Sequence, residues 1–425
     1  MPVRTEYFLQ KKGDRMDRRC FLKGSLMLAA YSAASDHLFA VEVAAEVAAG
    51  TPAAGFRVMP YLQNPSADGM TVMWHTAEPA YGWVEYGSSP ELGRMADQVT
   101  DGLRQANTTL HKVRLEGLTA GAPCFYRVCF KPIRSFGAYR VDFDAVVASP
   151  LYSFKTLPPR SAAVKCAIFN DLHRNFDVFH KLSANFKERS CDFSFFNGDC
   201  FPDYNDDESL LKAISIFNCG VEGHSRPMLC IRGNHETRGA SARRFKEKLD
   251  FPENQFFFAM SAGPVRFIVL DCGEDKPDDS KEYSGLTDFT GFRAQQAAWL
   301  QREVESEGFQ QAVFRVLVHH IPLYQAGDKH ISRLARELWD PILKEAPIDL
   351  AVCGHVHRCS YLPAGEAGNR HPVLVGGGPA DNGVLFLLSA DDRQLELESL
   401  DVNGKRVGLY RKQAGQALEC VSERR

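Results

Sequence analysis

The sequence predicts a two-domain chain, an all-β sandwich followed by an α/β domain, and three observations predict it. Short strand signals crowd the stretch from Phe56 to Thr156. A stiff Leu157-Pro158-Pro159 break ends that stretch. Beyond it, short apolar runs alternate with amphipathic ones.

In the first stretch, Thr71-Val72-Met73-Trp74-His75 and His111-Lys112-Val113-Arg114-Leu115 alternate apolar with polar, as half-buried strands do. Trp83 to Tyr86, Cys124 to Val128 and Tyr152 to Phe154 read as three further strands, with turns such as Ala67-Asp68-Gly69 and Thr119-Ala120-Gly121 between them. Roughly seven short strands in about 100 residues fit an immunoglobulin-like sandwich. Trp74 reads as a core residue of that sandwich.

Past the proline break, the apolar runs are Lys165–Asn170, Asp192–Asn197, Pro227–Ile231, Phe267–Asp271, Val313–Val318 and Asp349–Cys353. Between them Phe179, Leu182 and Phe186 share one helical face, and Ala297, Leu300 and Val304 another. That is α/β architecture with buried strands, and Val384–Leu388 and Leu395–Leu397 return to β at the end.

The chain of 425 residues is long enough for two domains with a sizeable core. A formal net charge of -3 disfavours a nucleic-acid partner, whose proteins are usually strongly basic. No apolar segment is long enough for stable membrane insertion. The 12 cysteines are scattered, so buried free thiols are expected rather than a disulfide framework.

Residues 1–50 read as a signal peptide and linker, 56–157 as the sandwich and 162–425 as the α/β domain. Arg18-Arg19 before Phe21-Leu22-Lys23, then a small apolar run to Ala34, resemble the bacterial twin-arginine export signal. The resemblance implies transient passage through that export machinery, already folded, to a periplasmic or secreted location. Free cysteines and a loaded metal site are both compatible with folded export.

The chemistry lies where the apolar runs stop. They end in Asp171-Leu172-His173, Gly198-Asp199, Gly233-Asn234-His235-Glu236, His319-His320 and Gly354-His355-Val356-His357. Ligands of open α/β sheets collect beyond the carboxyl ends of the strands, and glycines suit crowded turns there. Aspartate, histidine and asparagine without cysteine favour iron, zinc or manganese over a structural thiolate zinc site. The set exceeds the needs of one ion, so two metal ions sharing a bridging carboxylate are expected.

These blocks, in this order, closely resemble the calcineurin-like metallophosphoesterases, whose pattern is D-x-H, G-D, G-N-H-D/E, H and G-H-x-H. The resemblance covers residues 162 to about 410 and implies a four-layer α/β/β/α sandwich. It also implies that Asp171, His173 and His357 hold one metal, that Asn234, His355 and His320 hold the other, and that Asp199 bridges. His320-Ile321-Pro322 matches the family's H-x-P, which favours His320 over His319. His235 is the implied catalytic histidine, with Glu236 orienting its ring. The implied reaction is hydrolysis of a phosphate ester, with a hydroxide held between the metals attacking phosphorus in line.

Pro60-Tyr61-Leu62-Gln63 and Thr71-Val72-Met73-Trp74 resemble the opening of the fibronectin-like N-terminal domain of purple acid phosphatases. A sandwich of that kind is expected near the pocket mouth, influencing access. In that family a tyrosine follows the bridging aspartate by three residues; here Pro202 stands there and Tyr204 lies two further on. A ferric-tyrosinate site is therefore in doubt. Asp203, Asp206, Asp207 and Glu208 read as a solvated helix start, with Asp206 near the N-cap, and Asp271–Asp279 as a mobile loop able to gate substrate. Gly376-Gly377-Gly378-Pro379 reads as a close backbone pass behind the site. An acid-phosphatase-like monoesterase is the leading reading. A phosphodiesterase or nucleotidase, or a non-catalytic phosphate-binding protein, are the alternatives.

Overall fold

A computed structural model describes residues 54–201, 204–324 and 331–423. The export signal, its linker, Pro202 and Asp203 lie outside the described residues. Pro52 to Arg425 is one compact unit.

The sandwich is built on two long strands. Thr71–His75 and Trp83–Tyr86, expected as separate strands, run as one strand, Met70–Gly87. Its first half pairs with Phe56–Gln63 and Thr108–Leu115, and its second half with Pro123–Phe136 and Arg94–Ala96. The register slips between His75 and Ala80, where Ala77, Glu78 and Pro79 are exposed. An irregularity there, with an exposed proline, lets one strand change partners without ending. Trp74 is fully buried, stacked on His111 at 4.9 Å.

The second domain has two facing sheets with helices outside each. One sheet runs in the order Met228–Ile231, Phe193–Asn197, Val164–Phe169, Val384–Ala390, Gln394–Asp401, Arg406–Gln413, Leu418–Glu423, and its first three strands are parallel. The other runs Phe258–Ala262, Val265–Val269, Phe314–Val318, Leu350–Cys353, Val373–Val375, Ser360–Leu362. This is the four-layer architecture expected from the sequence. Along Val265–Val269 the sides alternate: Phe267 and Val269 join the core facing the first sheet, while Ile268 packs with Leu300 and Trp339 under the outer helices. Helix Phe176–Lys187 is capped by Asn175, and helix Asp207–Val221 by Asp206, whose carboxylate accepts from Ser209 N at 2.7 Å. No described helix is long and apolar enough to cross a membrane.

The sandwich and the catalytic sheets share a core, with Val58, Tyr61 and Met73 in the same apolar cluster as Phe193 and Phe195. Tyr61 Oη donates to Lys248 O at 2.8 Å, Gln63 Nε2 to Met228 O and Tyr126 Oη to His224 O, each at 2.6 Å. Asp250 accepts from Thr71 Oγ1 and Asn64 Nδ2 and pairs with Lys112. Two of these bonds meet the chain at or just before the start of Met228–Ile231, opposite the end that carries Asn234 and His235. The pocket-mouth position expected for the sandwich is not where they lie.

Candidate metal centre

Strand geometry delivers the polar residues to one edge. Val164–Phe169, Phe193–Asn197, Met228–Ile231, Phe314–Val318 and Leu350–Cys353 all release their motifs at their carboxyl ends. Asp171, His173, Asp199 and His357 form one group whose ligand atoms lie within 4.8 Å of one another. Asp199, His320 and His355 form a second. Asn234 joins the second group, its Oδ1 lying 3.0 Å from His355 Nδ1. All seven residues expected from the sequence are brought together, and Asp199 is the member common to both groups.

The backbone that does this is strained. Asp171, His173, Asp199, His355 and His357 take φ of 51°, 43°, 52°, 71° and 56°, in the left-handed region. Each such residue costs about 1–3 kcal/mol and persists where its surroundings over-determine it, typically at functional sites. Two glycines let the turns close. A Cβ on Gly354 would collide with Asp171 Oδ2, and one on Gly198 with His320. Gly376 passes against Asn170 and Gly378 against His357, the close approach expected of the glycine run.

The protonation chemistry fits cations. His320 Nδ1 lies 2.9 Å from the Asn197 carbonyl, which can only accept, so Nδ1 carries a proton and Nε2 is the nitrogen turned to the site. That Nε2 is buried without a hydrogen-bond partner, 3.0 Å from Asp199 Oδ2. His173 and His357 point their Nε2 atoms at each other across 2.9 Å, with Asp171 Oδ1 at 3.2 Å from His357 Nε2. Burial works to lower His320, but Asp199 and Asp171 outweigh it and push it up to about 10. Burial works to raise Asp199, but His320 and His235 hold it below the usual carboxylate range. Buried carboxylates that draw a proton onto a buried imidazole mark a place short of positive charge. Oxygen and imidazole ligands in two groups around a shared carboxylate suit two ions, and the fold carries a dinuclear metal site.

His319 goes elsewhere. Its ring lies among Cys272, Cys353 and the Ile321 carbonyl, and burial pushes it down to about 3, a neutral core residue. Most of the described cysteines are buried.

Two expectations need correction. Glu236 does not present its carboxylate to the ring of His235. Its oxygens accept from the backbone N–H groups of Asp199, Phe201 and Gly233 at 2.7–2.9 Å, tying two motif loops together. Arg238 is set against the His235 ring, with Nη1 3.3 Å from Nε2. The Asp271–Asp279 segment is braced rather than gate-like. Asp271 holds Arg232 at 2.6 Å, Glu274 holds Arg238 at 2.8 Å, and Asp278 accepts from Phe289 N at the start of the next helix. The carboxylates point inward because buried donors are there to meet them.

Sequence reasoning missed Asn170, which donates to Asp171 Oδ2 at 2.8 Å and to Gly377 O at 3.0 Å. A polar residue closing an apolar strand was the available signal. Tyr204 is buried with its hydroxyl unpartnered and Arg174 over its ring, and burial raises its phenol.

Residues 164–359 match the family model for calcineurin-like phosphoesterase, and residues 56–156 match that for the purple acid phosphatase N-terminal domain. No curated protein matches the chain in sequence. Among solved structures, purple acid phosphatase PPD1 from yellow lupin seeds is 15% identical, with 83% of this chain and 73% of that one covered and a TM-score of 0.61. PhoD is 13% identical, with 88% and 94% covered and a TM-score of 0.60. At such identities the likeness shows the fold alone. Domain matches and architecture agree: the chain's second domain belongs to the calcineurin-like metallophosphoesterases, hydrolases of phosphate esters, and it follows a purple-acid-phosphatase-like N-terminal domain.

Proposed function

We propose that the protein is a phosphomonoesterase whose centre holds two metal ions. The observation that carries this reading is the pair of ligand groups meeting at Asp199, with His235 beside them. Asp171, His173 and His357 would complete one site and Asn234, His320 and His355 the other. Iron, manganese and zinc all suit these ligands. When bound, two cations supply the charge that generates hydroxide from water near neutral pH and neutralises the phosphate oxygens.

The chain's own residues do the rest. Asp199 is fixed by His235 N donating to its Oδ1 at 3.0 Å, and Asp171 by His355 N at 2.8 Å. Those bonds hold the two carboxylates in register with the imidazoles around them. His235 lies against His173, ring centroids 4.9 Å apart, and is half-buried, so it can meet an ester at the open side. Its role is to hold a phosphate oxygen and to pass a proton to the leaving oxygen. Export in the folded state to the periplasm or outside the cell belongs to the same reading, on the strength of Arg18-Arg19 and the apolar run behind them.

The test is a panel of monoesters, diesters and nucleotides assayed after loading with manganese, zinc or iron. Monoesters should turn over fastest, and activity should vanish with chelator and return with metal. Faster turnover of diesters would replace the monoesterase by a diesterase. Hydrolysis of nothing, with both sites filled, would leave only a binding protein.

A further inference from the structure

The guanidinium of Arg238 is the one described cation held against the ring of His235, and its fastening is unusually complete. Nε donates to Glu274 Oε1 and Nη2 to Glu274 Oε2, both at 2.8 Å, a two-pronged pair. Nη2 also reaches Asp275 Oδ1 at 3.0 Å. Glu274 is almost wholly buried, and it accepts in addition from Thr237 Oγ1 at 2.8 Å and Tyr283 Oη at 2.7 Å. Arg293, itself buried, donates to the carbonyls of Cys272 at 2.8 Å and Glu274 at 2.9 Å, fixing the backbone on which Glu274 stands. With Nε and Nη2 committed to carboxylates, the remaining edge, Nη1, is the one turned to the site, 3.3 Å from His235 Nε2.

Fastening of this kind is more than a surface ion pair needs. A long side chain on a loop is normally free to rotate, and here two carboxylates, a hydroxyl and a phenol remove that freedom before any ligand arrives. The edge left over is planar, permanently charged and rich in donors, suited to a phosphoryl oxygen.

We propose that Arg238 Nη1 binds a phosphoryl oxygen of the substrate beside His235, and that this contact selects monoesters over diesters. The proposal rests on the phosphoesterase reading above and deepens it. A phosphate monoester carries three non-bridging oxygens, so two can face the metal side and the third is left as an acceptor. A diester carries only two, and its fourth substituent is an alkylated oxygen with little charge. A charged donor at the third position is therefore worth a strong hydrogen bond to a monoester and to inorganic phosphate, and little to a diester. Glu274 and Tyr283 are then positioning residues, acting through Arg238.

The test uses the full chain loaded with metal. Arg238→Lys keeps a cation beside Glu274, so the fold is preserved, but removes the Nη1 edge; Arg238→Ala removes both. For 4-nitrophenyl phosphate both variants should raise KM, and for inorganic phosphate the inhibition constant, by about tenfold or more. Metal content should be unchanged, and kcat/KM for bis(4-nitrophenyl) phosphate should stay within about threefold, since the diester never used the contact. Tyr283→Phe should show the same selectivity in weaker form. An equal fall for both esters, or an unchanged phosphate constant in Arg238→Lys with an unchanged melting temperature, overturns the proposal. Calorimetric phosphate binding keeps the two readings separable. Absence of ester turnover in the unaltered chain defeats the monoesterase, whereas unchanged phosphate affinity in both variants defeats Arg238.

Discussion

His320 and His75 are both enclosed imidazoles, and they are chemically opposite. His75 lies in the sandwich, stacked on Tyr61 with its Nε2 3.3 Å from Tyr61 Oη, and burial pushes it down to about 3. His111 stacks on Trp74, and burial pushes it down to about 4. His320 is as deeply buried, yet two carboxylates face its Nε2 and a backbone carbonyl fixes its Nδ1 proton. Even His319, its neighbour in sequence, belongs with the sandwich histidines. Burial of a histidine is therefore no sign of function. What distinguishes the metal edge is a ring nitrogen aimed at carboxylates, with the other nitrogen fixed from behind.

The largest effect expected on this contrast is from Asp199→Ala, because Asp199 is the one residue shared by both ligand groups. Steady-state hydrolysis should fall further for it than for any other single change. His235→Ala should lower kcat by roughly 10²- to 10⁴-fold while metal content stays at the wild-type level. Metal lost together with activity would make His235 part of the ligand frame instead.

Gly354→Ala places a methyl group on Asp171 Oδ2, and metal affinity should weaken by roughly 10- to 100-fold without unfolding the chain. Metal titration with the melting temperature read alongside checks this. The sandwich side should respond the other way. Asp250→Ala leaves Thr71, Asn64 and Lys112 without their partner and should cost about 1–3 kcal/mol in stability, read by urea unfolding, with kcat/KM unchanged.

The smallest effect is on pH dependence. His75, His111 and His224 have folded values depressed from 6.5 to about 3, about 4 and about 4, chiefly by burial. The unfolded chain then binds more protons than the folded one below pH 6.5. Stability present above that pH is lost as pH falls toward 4. Melting temperature should drop across that window, and less so in His75→Leu. A flat profile would mean that these rings are not held neutral.

Much of this was legible in the sequence. Each motif sits where an apolar strand stops, and a strand delivers its next residues to the sheet edge whatever lies elsewhere, so Asp171, Asp199, Asn234 and His355 could be placed by local pattern, whereas His320 was separated from His319 only by the family resemblance. Residues whose partners are distant in sequence were not legible. Glu236 sits beside His235 in sequence, but its bonds go to Asp199 and Phe201, more than thirty residues away. Glu274 lies in a stretch acidic enough to pass for a solvated loop, and only the fold brings Arg238, Tyr283 and Thr237 around it. The strand Met70–Gly87 looked like two because its pattern breaks at Pro79, where the register slips and the strand changes partners.

Two metals are expected to meet at Asp199, and elemental analysis of the purified chain tests this most directly. The unaltered protein, loaded with manganese or zinc and freed of excess, should carry close to two ions per chain, and Asp199→Ala should fail to keep the pair. An Asp199→Ala variant that retains both ions, or an unaltered protein that holds a single ion at full activity, would contradict it.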